Sequence, residues 1–359
     1  MRNLFLVTHK MTGGGCERVI AQLLADFVSR GIDCTLVSEC RVPSFYALPE
    51  GLRQISLLES ATMRAADVPR AYGRLRALVK RERPDLVLAM PEKVNVWTVL
   101  FLLGTGVPVV VSERNDPRRH PESRLKRLLR ALVYPFAAGF VFQTRQAADY
   151  FPPRIRARGI VLPNPLDPAR LPAPNVCARE KTVVGAGRLN AQKNVPLLIN
   201  AFAAFYETHP DWRLVVYGEG ELRETLQSLI DAKLPAGAAS LPGQTQALPA
   251  ALAQCGIFVL CSMFEGMPNA LIEAMAVGTA CVATDCPAGG CAALIESGKN
   301  GLLVPVDDVD ALTSALNTLA DAPEQAAALG KNAARVRETL DAGVICTQWR
   351  RYLDGIAAK

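Results

Sequence analysis

The feature that most constrains this chain is an alternation of short apolar runs with helix-length stretches that begins at residue 4, breaks once and begins again. Leu4–Thr8, Asp33–Ser38, Asp85–Met90 and Pro108–Ser112 read as strands, with Phe140–Gln143 and Gly159–Leu162 as further short runs and helical patterns between them, the first over about Cys16–Arg30. The scheme restarts with Thr182–Gly187 as strand, Val195–His209 as helix, Arg213–Tyr217 as strand, Glu221–Asp231 as helix, then Phe258–Cys261 and Cys281–Thr284 as strands. Strands alternating with helices build βαβ units and parallel sheets. The break is Leu162-Pro163-Asn164-Pro165-Leu166-Asp167-Pro168, followed by Leu171-Pro172-Ala173-Pro174. Proline resists both helix and sheet, so this segment suits an inter-domain linker. With 359 residues, 50% of them hydrophobic, the chain is long enough for two cored domains. The spacing predicts an α/β chain of two open domains, 1–165 and 166–340, and a terminal helix in 341–359 that carries Trp349 and Tyr352.

Several classes are set aside by composition. The run Leu4–Thr8 is too brief for a secretory signal, so none is expected. The longest apolar stretch, Val94–Val111, contains Gly104, Gly106 and Pro108 and reads as buried helix, turn and strand, not as a membrane span. Ten cysteines include no Cys-x-x-Cys, and the Cys281, Cys286, Cys291 series matches no zinc spacing, so they read as small core residues in a reducing cytoplasm. Charge is uneven. Residues 1–170 hold 26 Lys+Arg against 15 Asp+Glu, a balance of +11, whereas residues 171–359 hold 14 against 19, a balance of −5. A basic half joined to an acidic half points to an anionic partner for the first.

Open α/β domains bind ligands beyond the carboxyl ends of their strands, and a cleft between two such domains is expected. In Glu265-Gly266-Met267-Pro268-Asn269-Ala270-Leu271-Ile272-Glu273, proline is favoured at a first helical position, so a helix is expected to start at Pro268 and close at Gly278. Glu265 then lies on the loop and Glu273 in the second turn. Both flank a helix N-terminus, whose free N–H groups and dipole favour a diphosphate. A carboxylate accepts from two vicinal hydroxyls at once, so the pair fits a sugar nucleotide. Arg188 and Lys193, after the first strand of the second half, supply cations for a leaving diphosphate. Gly13-Gly14-Gly15 at the first strand-to-helix turn allows close backbone approach to phosphate or substrate, though it matches neither dinucleotide nor Walker fingerprints.

Taken together, Gly14-Gly15-Cys16-Glu17-Arg18, Ser112-Glu113-Arg114-Asn115-Asp116-Pro117, Leu162-Pro163-Asn164-Pro165, Gly187-Arg188 with Lys193-Asn194, Gly218-Glu219-Gly220, Glu265 to Glu273 and Asn300-Gly301-Leu302-Leu303-Val304-Pro305 resemble the retaining GT-B glycosyltransferases of family 4 (group 1). Bacterial transferases of N-acetylhexosamine or hexose to lipid-linked oligosaccharide or polysaccharide belong to that group. The resemblance implies two Rossmann-like domains facing each other across a cleft, the acceptor-binding one first and the NDP-sugar-binding one second, with the terminal helix crossing back to the first. It implies that Glu265 meets the donor sugar hydroxyls and Glu273 the ribose, and that Arg188 and Lys193 hold the diphosphate. Backbone at Gly14, Gly15, Gly218, Gly266, Met267, Pro268 and Asn269 completes the donor site. The resemblance also implies that a departing phosphate oxygen takes the acceptor proton, with no metal and no cofactor.

Two departures stand out. Many relatives place a histidine after the fourth strand of the first domain; here Glu113, Arg114, Asn115 and His120 are the acceptor-side candidates, and which takes that contact stays open. Relatives commonly show Pro-Arg-Glu where Cys291-Ala292-Ala293 follows Gly289-Gly290. Glu122–Val133 places Leu125, Leu128, Leu129, Leu132 and Val133 on one stripe among Arg124, Lys126, Arg127 and Arg130, and Arg70, Arg74, Arg76, Lys80, Arg81 and Arg83 form a second basic run. Such helices suit an anionic membrane. The resemblance therefore implies a cytoplasmic enzyme, peripheral on the inner face of the bacterial plasma membrane. Its donor would be a UDP-sugar, UDP-GalNAc among the candidates, and its acceptor an undecaprenyl-diphosphate-linked or lipopolysaccharide glycan. The rivals are a sugar-nucleotide epimerase or hydrolase and a silent nucleotide-sugar-binding subunit; no nucleic-acid motif is present.

Overall fold

Leu4 to Val7 are all fully enclosed, as a strand covered on both faces must be. In the computed structural model, which describes residues 1–175 and 179–358, this run is an interior strand of a seven-stranded parallel sheet. Its strands are β1 (Asn3–Thr8), β2 (Asp33–Cys40), β3 (Arg53–Leu58), β4 (Leu86–Ala89), β5 (Val109–Ser112), β6 (Gly139–Phe142) and β7 (Gly159–Val161), in the order β3-β2-β1-β4-β5-β6-β7. The pleat sends alternate residues to opposite faces. Phe5 and Val7 pack with Tyr72, Leu75 and Val79, while Leu4 and Leu6 pack with Ile20, Leu24 and Phe27.

A second parallel sheet holds β8 (Glu180–Ala186), β9 (Arg213–Tyr217), β10 (Ala239–Gly243), β11 (Cys255–Leu260), β12 (Ala280–Thr284) and β13 (Leu302–Val304), ordered β10-β9-β8-β11-β12-β13. Counted within itself it repeats the order 3-2-1-4-5-6 of the first six strands, so each sheet reverses direction between its first and fourth strands. That reversal opens a crevice at the strand carboxyl ends where ligands bind.

The chain divides into one unit of Met1–Pro165 with Ala342–Lys359 and another of Leu166–Asp341. The helix Ala342–Ala357 buries Ile345, Cys346, Trp349 and Leu353 in the core that contains Leu4 and Leu6. Tyr352 accepts from the Phe140 amide at 2.8 Å, and a Cβ on Gly139 would lie 2.4 Å from the Tyr352 oxygen. Glycine is required there by the close approach.

The stretch Val94–Val111 resolves into the helix Glu92–Leu102, a turn and β5. Sequence reading missed β3, β10 and β13, all at or beside sheet edges. Pro242 in β10 is tolerable because an edge strand has a free side. The helix near Glu273 runs Asn269–Ala276, one position later than expected. Pro268 has an extended ψ of 113° and is the residue before the helix, not its first. Gly278, at φ +77°, follows its end.

Candidate active site

In the second unit the crevice lies between β8 and β11, and most of the expected donor residues leave these two strands, Gly218 following β9 and Gly14 and Gly15 following β1 in the first unit. From β8 come Gly187, exposed Arg188 and Lys193; from β11 come Glu265 and, one helical turn in, Glu273. The Lys193 ammonium donates to Glu265 Oε1, joining the two loops by an ion pair. Ser262 Oγ donates to the same oxygen at 2.7 Å, and Thr284 Oγ1 holds the Ser262 carbonyl at 2.6 Å. Gln192 fastens the loops again, its side chain to the Phe264 carbonyl at 2.9 Å and its carbonyl to the Met263 amide at 2.8 Å. Glu265 and Glu273 are both buried. Gly266, Met267 and Pro268 are buried beside them, and Asn269 is half-buried. Sequence reading missed Ser262, Gln192 and Thr284, whose role appears only once the loops are adjacent.

Two glycines let backbones touch. A Cβ on Gly218 would sit 1.8 Å from the Gly187 carbonyl oxygen, and one on Gly290 would sit 1.8 Å from that of Gly266. The Gly289-Gly290 turn therefore packs on the loop that bears Glu265. Behind it the Cys286 and Cys291 sulfurs lie 3.8 Å apart.

In the first unit the crevice lies between β1 and β4. After β1 the chain turns through Gly13, at φ +101°, and enters the helix Gly15–Ser29. Glu17 accepts from the Gly14 amide at 2.8 Å and completes this turn. Glu113 is enclosed, bound by Tyr134 and by Arg130 at 3.4 Å, and burial raises its carboxyl pKa. Its carboxylate thus anchors the fold. Arg130 also donates to the carbonyls of His120 and Pro117, both at 2.7 Å, pinning the loop from Glu113 to His120. Arg114 donates to Asn164, which also accepts from Gln143 at 2.7 Å; burial lowers the guanidinium pKa, and the Cys16 thiol beside it is pushed up to about 12 by burial. Asn115 Oδ1 accepts from the Asp116 amide at 2.9 Å.

His120 Nδ1 stands 3.9 Å from buried Glu92, a residue that sequence reading passed over. Burial raises the Glu92 carboxyl and lowers the His120 imidazole, so both are displaced toward their neutral forms. Of the four acceptor-side candidates, then, Glu113 turns inward, Arg114 is enclosed, and Asn115 and His120 stay at least partly open.

Comparison with known proteins decides the family. Residues 13–170 match the model of Glycosyltransferase Family 4, and residues 172–336 match that of Glycosyl transferases group 1. The chain is a family 4, group 1 glycosyltransferase. It is 27% identical to the N-acetylgalactosamine-N,N'-diacetylbacillosaminyl-diphospho-undecaprenol 4-alpha-N-acetylgalactosaminyltransferase of Campylobacter jejuni, over 99% of this chain and 100% of that one. An uncharacterized glycosyltransferase of Haemophilus influenzae is 22% identical over 97% and 99% of the two chains. Among solved structures, Anabaena HepE in complex with UDP and glucose superposes with a TM-score of 0.84 at 17% identity, over 99% and 100% of the chains. That likeness establishes the GT-B fold.

The surface of this glycosyltransferase corrects one expectation about its basic helices. In Arg124–Val133 only Leu129 and Val133 face inward, with Arg130; Leu125 is 74% exposed, Leu128 58% and Leu132 62%, and Phe136 beyond them is 65% exposed. The five apolar residues therefore split between two faces. Three leucines at intervals of three and four form an open apolar ridge flanked by Arg124 and Lys126. The second basic run behaves differently. Arg76 binds the carbonyls of Phe101 and Leu103, both at 2.6 Å, Arg83 binds that of Thr105 at 3.0 Å, and Arg74 binds that of Leu57 at 2.8 Å. Those cations fasten the end of the helix Glu92–Leu102, the turn after it and β3. Among the described residues no helix is long and apolar enough to cross a membrane.

Proposed function

We propose that this glycosyltransferase moves an N-acetylhexosamine or hexose from a UDP-sugar to an undecaprenyl-diphosphate-linked or lipopolysaccharide glycan, with retention and without a metal. The observation that carries the reading is the Lys193–Glu265 ion pair, set across the crevice beside the N-terminus of the helix Asn269–Ala276. An ammonium already held at that place needs little reorganisation when charge builds on a leaving diphosphate, and the helix amides add a second positive field. Arg188, exposed on the same loop, completes the clamp. Glu265 receives the donor sugar hydroxyls, and Glu273 the ribose.

In the transfer, the bond from the anomeric carbon to the UDP oxygen breaks and the acceptor oxygen bonds to the same face. The acceptor proton passes to the departing phosphate. The Campylobacter relative, named for a diphospho-undecaprenol substrate, and HepE, solved with UDP, support the choice of acceptor and nucleotide. The ridge of Leu125, Leu128, Leu132 and Phe136 with its flanking cations supports a peripheral seat on the inner, anionic face of the plasma membrane, where such acceptors are presented.

A panel of UDP-sugars against short lipid-diphosphate glycans, followed by mass spectrometry with EDTA present, tests the whole reading. Sugar-nucleotide turnover that needs no acceptor would instead favour an epimerase or hydrolase. Tighter binding of GDP- or ADP-sugars than of every UDP-sugar would overturn the nucleotide assignment.

A further inference from the structure

We propose that His9 is a contact residue of the first unit for a hydroxyl of the acceptor sugar, its imidazole aimed by Glu39 and Tyr72. The inference rests on the transferase reading above.

His9 is the first residue after β1, the strand at which the order of the first sheet reverses. Its Nδ1 lies 2.6 Å from Glu39 Oε2. The other oxygen, Oε1, accepts from the Tyr72 hydroxyl at 2.5 Å. Glu39 and Tyr72 are both buried, Glu39 on β2 and Tyr72 on the helix Val68–Glu82, where its ring packs against Phe101 at 5.6 Å. The imidazole is thus fixed through two elements other than its own.

A carboxylate at Nδ1 assigns the proton to that nitrogen and leaves Nε2 as the outward group, an acceptor while the ring is neutral. The hydrogen bond of the ring to the described residues is made through Nδ1, and the side chain is 28% open. Satisfying a buried Glu39 takes only one ring nitrogen. The second is left at a strand carboxyl end, where open α/β sheets receive ligands. A sugar hydroxyl donates the hydrogen bond that such a nitrogen accepts, and keeps its proton.

The test uses the full chain, with the best UDP-sugar of the panel and a short-chain polyprenyl-diphosphate glycan. His9→Gln should raise the acceptor KM about tenfold, the effect of one well-aligned hydrogen bond, while donor KM and acceptor-free hydrolysis of the donor stay within about twofold. Glu39→Gln, whose amide oxygen still accepts from Nδ1–H, should fall between wild type and His9→Gln. In the unmodified protein labelled with 15N-histidine, the His9 Nε2 resonance should move on adding acceptor and stay in place on adding UDP. An unmoved acceptor KM in His9→Gln, or donor and acceptor KM rising together with a lower melting midpoint, would assign His9 to folding and overturn the inference. If the wild-type protein uses no glycan acceptor at all, the transferase reading fails first and takes the inference with it.

Discussion

Replacing Lys193 by alanine separates what the cation does for the fold from what it does for the reaction. The Lys193 side chain is 20% exposed and that of Glu265 9%, so the variant strands a nearly enclosed carboxylate that, among the described residues, keeps the Ser262 hydroxyl at 2.7 Å to support it. Breaking a fully buried pair costs about 3–5 kcal/mol; partial solvent access at Lys193 lowers this to about 1–3 kcal/mol. For a unit of this size each kcal/mol moves the melting midpoint by about 2–4 °C. The catalytic loss should be larger than that destabilisation explains. Removing a preorganised donor from developing charge costs about 10²–10³ in kcat. Lys193→Ala/Glu265→Gln resolves the two, because neutralising Glu265 relieves the stranded charge and returns most of the midpoint, whereas activity stays down. The assays are calorimetric melting and initial rates with the UDP-sugar that the panel identifies. A kcat/KM for Lys193→Ala within about twofold of wild type, at temperatures where the variant is folded, would refute the assignment.

Glu273→Gln should raise the donor KM by about tenfold with a smaller change in kcat, since it weakens one charged acceptor to the ribose; loss of kcat at unchanged donor KM would exchange the roles of the two glutamates. Gly290→Ala should weaken UDP binding by more than about tenfold in calorimetry, because its Cβ cannot share space with the Gly266 carbonyl 1.8 Å away. Leu128→Asp with Leu132→Asp should leave the melting midpoint unchanged, as both side chains are open, and reduce cosedimentation with anionic vesicles by about tenfold or more. Retained vesicle binding would move the lipid contact elsewhere.

Much of this architecture is legible in the residues because parallel strands buried on both faces appear as unbroken apolar runs, and Arg213–Tyr217 and Ala342–Ala357 are found at their expected limits. The edge strands β3 and β10 escape because they carry mixed residues and, in β10, a proline, and β13 escapes because it is only three residues long. Motif spacing picks out the residues expected on the donor side, and the structure brings two of them, Lys193 and Glu265, together. Their partnership is not readable, since 72 positions separate them. Glu113 shows the opposite limit. A polar residue after a strand looks available in sequence, yet Arg130 and Tyr134 approach it from 17 and 21 positions away and enclose it. His9, Glu39 and Tyr72 likewise belong to no local pattern; β1 and β2 bring the first two together, and the helix Val68–Glu82 brings the third.

The placement of Trp349 has a consequence for biosynthesis. Its ring is fully enclosed among residues that include Leu4 and Leu6, so a strand made before the second unit is packed against a helix made after it. The first unit cannot close its core until all of Leu166–Asp341 has left the ribosome. During that interval one face of β1 and the helix Gly15–Ser29 stays uncovered, while the second unit, whose residues are contiguous, is free to fold. A nascent chain halted before Ala342 should therefore bind chaperones through its first unit, although that unit was synthesised first.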